Sequence, residues 1–68
     1  MQVKAFIERT QKIISVTLAQ KATVQDLLLK LSLNPVTVLV VRDGKVLVEI
    51  QHLEDKDTLK ILSVVSGG

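Results

Sequence analysis

There is no cysteine among the 68 residues. That excludes a disulfide framework, a thiolate nucleophile and a thiolate metal site, and a small domain that folds without such staples is expected in a reducing cytoplasm. Aromatic side chains are nearly absent as well, Phe6 standing alone without any Trp or Tyr. The net charge of +2 is spread along the chain with no basic run, so nucleic acid is not an expected partner. Long apolar runs are missing. Stretches such as residues 38–41 fall far short of the roughly 20 residues that span a bilayer, and the opening Met1-Gln2-Val3-Lys4 leads directly into strand-like sequence, so neither a membrane span nor a signal segment is expected. Proline occurs once, and no Pro- or Ser-rich tract or internal repeat interrupts a chain that is 47% hydrophobic. A globular domain follows. At this length it buries about 60% of its extended-chain surface, enough for one small core and no deep cleft. No pair of catalytic acids and no Ser–His or Cys–His set is present, so an enzyme is the least supported class.

What is there reads as alternating strands around one helix. Residues 2–8 place Val3, Ala5 and Ile7 on one face and Lys4, Phe6 and Glu8 on the other. Period two marks a half-buried strand. After Arg9-Thr10-Gln11 a second run sets Ile14, Val16 and Leu18 inward and Ile13, Ser15 and Thr17 outward. The two make a hairpin whose register the glycine-free turn leaves open. The period then changes. Thr23 is a good N-cap with Asp26 at the capping-box position, and Val24, Leu27, Leu28 and Leu31 form one apolar stripe. The expected helix spans about residues 23–32 and is closed by Asn34-Pro35.

Residues 36–42 are β-branched and continuous, as in a central strand. Asp43-Gly44 signals a tight hairpin, with a short return strand over residues 45–48. Residues 49–57 are irregular and carry Glu54, Asp55 and Asp57, whose spacing matches no calcium loop, so a solvated turn is expected and no metal site. His52, with no Cys and no second His, reads as a surface or partly buried ring. Residues 58–64 alternate again, with Leu59 and Ile61 inward and Lys60 and Leu62 outward. Two hairpins therefore flank one helix, and the first and last strands pair in parallel at the sheet centre. That is an α+β, β-grasp (ubiquitin-like) arrangement, a mixed sheet of four to five strands packed on one helix. The expected division is a domain over residues 1–64 and a flexible tail over residues 65–68.

That tail is Val65-Ser66-Gly67-Gly68. Glycine has no Cβ, so Gly67 and Gly68 leave a terminal carboxylate uncrowded and able to pass through a narrow channel in a partner.

Over its whole length the chain resembles the ubiquitin-like sulfur carriers of the ThiS/MoaD family, which includes small archaeal modifier proteins and is related to ubiquitin. The residues that carry the resemblance are Thr23-Val24-Gln25-Asp26-Leu27-Leu28, Asp43-Gly44, the stretch from Leu53 to Ile61, and Val64-Val65-Ser66-Gly67-Gly68. One departure is Lys56, where the family often has Gly in an Asp-Gly-Asp turn; a left-handed backbone there would cost Lys ~1 kcal/mol. The resemblance implies a carrier and no catalyst. A ubiquitin-activating-type enzyme would use ATP and Mg²⁺ to adenylate the Gly68 carboxylate, and sulfur delivery would give a thiocarboxylate. A synthase of thiazole, molybdopterin or tRNA thiolation chemistry would accept the sulfur. Some members instead form an isopeptide bond with a target lysine, and an inert β-grasp interaction module is the third reading. With no Gly-rich phosphate loop in this chain, no cofactor is expected on it, and ATP belongs to the partner.

Docking needs a surface beside the tail. Pleat parity puts Leu39, Val41 and Leu62 on the sheet face opposite the helix, with Val64 extending the patch towards Val65 and Ser66, and Phe6 joining it. The chain alone is expected to be a monomer.

Overall fold

The computed structural model describes residues 1–64. They form β1 (Gln2–Ile7), β2 (Lys12–Thr17), α1 (Val24–Lys30), a 3-10 turn (Pro35–Thr37), β3 (Val38–Arg42), β4 (Lys45–Leu47) and β5 (Thr58–Ser63). The strands make one five-stranded sheet in the order β2-β1-β5-β3-β4. β1 and β5 run parallel in its middle, and every other neighbouring pair is antiparallel. This is the β-grasp arrangement expected from the alternation pattern.

Alternation decides what is buried. Val3 and Ala5 of β1, Val16 of β2, Val40 of β3, and Leu59 and Ile61 of β5 point to one side and meet Val24, Leu27 and Leu28 of α1. Leu18, Ala22 and Leu53 from the connections complete the core. Ile14 shares the inner side but stays 38% exposed. β2 is one of the two edge strands, and only its Val16 end reaches the core. The register left open by sequence is Val3 opposite Val16 and Ala5 opposite Ile14. The connection closes with Gln11 in the left-handed region (φ 55°).

The helix begins as its cap residues dictate. The Asp26 N–H donates to Thr23 Oγ1 at 3.4 Å, and the Thr23 N–H donates back to Asp26 Oδ2 at 2.9 Å. Its end departs from the expected one. The Leu33 N–H donates to the Leu28 carbonyl and the Ser32 N–H to that of Leu29, with Ser32 left-handed at φ 58°. This Schellman closure stops α1 at Lys30, four residues before Asn34. Pro35 instead opens the 3-10 turn, where Asn34 Oδ1 accepts the Val36 N–H at 2.9 Å. That turn takes the first two residues expected in β3, which starts at Val38. β4 likewise ends at Leu47 and β5 at Ser63, each one residue short of the sequence pattern.

The acidic stretch forms a turn, yet two of its acids hold structure instead of facing only water. Asp57 Oδ2 accepts from the Glu54 N–H and from Arg42 Nη1, both at 2.8 Å. Asp55 Oδ1 accepts the Gln2 N–H at 2.8 Å, while the Lys56 N–H donates to the Gln2 carbonyl at 2.7 Å. Residues 54–57 are thereby tied to the start of β1. Lys56 has φ 69°, the left-handed backbone considered for it on the resemblance.

Candidate functional site

Because α1 covers one face of the sheet, the opposite pleat positions are left without a covering layer among the described residues. In the strand register, Ile13 lies opposite Phe6, Phe6 opposite Lys60, Lys60 opposite Val41, and Val41 opposite Val46. This row crosses all five strands, about 19 Å at the usual strand spacing. Leu39 faces Leu62 one pleat further along. Below the row the same face turns polar, with Ser15, Lys4 and Thr58 in register. The apolar half therefore sits at the end of the sheet from which the chain leaves β5 for residues 65–68.

Of the residues singled out in the sequence, Phe6, Leu39, Val41 and Leu62 come together on this face. Leu39 is 39% exposed, and Phe6, Val41 and Leu62 are half-buried. Val64 follows β5, is exposed, and donates its N–H to the Thr37 carbonyl at 2.9 Å. Val65, Ser66, Gly67 and Gly68 lie outside the described residues. Two members of the patch were not singled out: Ile13, 66% exposed, and Val46, 58% exposed. Both were accessible to pattern reasoning. Ile13 falls on the outer alternation of β2, and the two-residue Asp43-Gly44 turn fixes Val46 opposite Val41. A contiguous exposed apolar patch of this kind usually marks a protein partner's site.

Lys60 is the cation in the middle of the row. Its Nζ lies 4.0 Å from Glu8 Oε2, with both side chains more than half exposed. An open trough of about 570 Å³ runs between α1 and β4 and round the β4 edge, so that Leu39 and Val46 of the open face line it together with Val24, Leu28, Val40 and Leu47, with Glu49 its one ionisable group. A single carboxylate in an apolar trough supplies no acid–base pair. Among the described residues, no three His, Asp or Glu side chains gather as a metal site would require. His52 is an exposed ring whose Nδ1 lies 2.7 Å from the Lys21 carbonyl, an oxygen that can only accept. Among the described residues, no helix is long and apolar enough to cross a membrane.

The model of the ThiS family matches residues 5–68, nearly the full chain and through the Gly67-Gly68 pair. The chain belongs to the ThiS family. Its similarity to the sulfur carrier protein TtuB of Thermus thermophilus is 41% identity over 44 residues, covering 65% of this chain and 68% of TtuB. Among solved structures, the crystal structure of SAMP1 from Haloferax volcanii superposes with a TM-score of 0.79 at 19% identity, covering 100% of both chains. That likeness fixes the fold. The matched range takes in the helix cap, the Asp-Gly hairpin and the terminal glycines on which the resemblance rested.

Proposed function

We propose that this ThiS-family chain is a sulfur carrier that works by being modified at Gly68 and catalyses nothing itself. The observation that carries the proposal is the family match running through Gly67 and Gly68. A carboxylate is a poor electrophile until a better leaving group replaces its oxygen. In the proposed cycle a ubiquitin-activating-type enzyme holds ATP and Mg²⁺. The Gly68 carboxylate attacks the α-phosphorus, expels pyrophosphate, and becomes an acyl-adenylate. A hydrosulfide nucleophile then attacks the acyl carbon and expels AMP, and loss of the sulfur-bound proton leaves a thiocarboxylate for an acceptor synthase. Glycine suits the reacting position because no side chain shields the carbon from approach. The apolar patch of Phe6, Leu39, Val41 and Leu62 would dock the enzyme while Val64, Val65 and Ser66 lead Gly67 and Gly68 into its active site.

The same activated carbonyl would accept a lysine amine, making the chain a protein modifier. Mass spectrometry separates the two fates. A gain of about 16 Da on the intact chain, one oxygen exchanged for sulfur, is the expected result, whereas Gly-Gly remnants on lysines of other proteins would identify conjugation. Finding neither would leave an inert module. Incubation with ATP and the host adenylating enzyme should release pyrophosphate with the full chain and not with a version lacking Gly68. Equal release from both would remove Gly68 from the reaction.

A further inference from the structure

We infer that the partner surface covering the open sheet face is apolar with a carboxylate at its centre, placed to meet Lys60. This inference rests on the docking role proposed above and adds the chemistry of the partner. The register puts Lys60 between Phe6 and Val41, with Ile13 and Val46 at the ends of the same row and Leu62 two residues further along β5. A partner that buries this row also buries the ammonium group. Removing a charge from water without a counter-charge costs more than the neighbouring apolar contacts return.

Glu8 is not an adequate counter-charge. It reaches only 4.0 Å from Nζ, and both groups are more than half exposed. Such an exposed pair is held weakly and is screened by salt. Lys4, one pleat below on the same face, adds a second positive charge, so the face is net positive around its apolar half. A second copy of this chain would bring Lys60 and Lys4 against a single Glu8, so the two faces would meet with an excess of positive charge and repel. A carboxylate on a different protein fits the charge, fixes the register of docking and speeds encounter.

The test is binding of the full chain to the host's adenylating enzyme, measured at low and high salt for Lys60→Arg, Lys60→Gln and Lys60→Leu, with Leu62→Glu as a separate probe of the face. The inference expects Lys60→Gln and Lys60→Leu each to weaken binding roughly tenfold or more. Lys60→Arg should stay near wild type, and the salt dependence should flatten in Lys60→Gln. Lys60 is exposed, so these variants should melt with the wild type, which circular dichroism checks. The Lys60→Leu result has opposite signs under the competing ideas. An apolar partner without an acid would bind that variant as well as wild type or better, and this would overturn the inference. If Leu62→Glu abolishes binding while all three Lys60 variants bind normally, the face docks but carries no matching acid. If Leu62→Glu also binds normally, the docking role itself fails. A wild-type dimer in sedimentation that Leu62→Glu disrupts would assign the face to a second copy and likewise overturn the inference.

Discussion

At the scale of single residues, the scarcity of glycine leaves its mark on the turns. Of the three glycines, two are Gly67 and Gly68, and Gly44 alone serves a described turn, at φ 78° beside Asp43 at φ 52°. Gln11, Lys21, Ser32 and Lys56 therefore adopt left-handed backbone without glycine's freedom. Lys56 is the clearest case, because its N–H is committed to the Gln2 carbonyl and it cannot relax without loosening β1. Lys56→Gly should stabilise the domain by about 1 kcal/mol, raising the melting temperature by roughly 4–8 °C. A thermal melt that fell instead would show the position unstrained. The substitution leaves the open face untouched, so binding to the adenylating enzyme should not change.

Among the elements, the segment after β4 does more than connect. Asp57 joins the Glu54 N–H to Arg42, whose side chain comes from the end of β3, and the neighbouring Asp55 and Lys56 hold Gln2. Asp57→Ala should cost about 1–2 kcal/mol, since it strips a charged acceptor from the partly buried Arg42 side chain and from the exposed Glu54 N–H. Asp57→Asn should cost less, because it keeps an oxygen for the Glu54 N–H. Urea midpoints at unchanged m-value would measure both. None of this was legible in the sequence, where three acids in an irregular stretch look like solvent-facing residues. The same limit explains the helix end. Asn34-Pro35 was the visible stop signal, while the Schellman closure relies on Ser32 taking a conformation its side chain does not advertise. Strand existence and facing were legible, because period-two alternation is a local property of Val3 to Ile7 or Leu59 to Leu62. The apolar patch was legible for four residues by parity. Ile13 and Val46 required the hairpin registers to be followed across the sheet.

For the molecule as a whole, one helix and one sheet share a core small enough that single side chains matter. A domain of this length has a total stability of about 3–10 kcal/mol. Leu27 is completely buried, and Leu27→Ala should remove about 2–5 kcal/mol, a large fraction of that total. Leu29, two residues on and exposed on the same helix, should tolerate alanine with a change within about 0.5 kcal/mol. Denaturant titration of the pair checks whether the α1 stripe facing the sheet is the main cohesive contact. The central pairing of β1 with β5 has a consequence for biosynthesis. On the side away from β2, residues 4–7 find their neighbours only in residues 58–61, so a nascent chain on the ribosome cannot close the middle of the sheet until those residues have emerged. An incomplete product then lacks β5 and Leu62, and with them the surface an enzyme would grip. Under the proposed function, readiness for loading is thereby tied by topology to the emergence of β5.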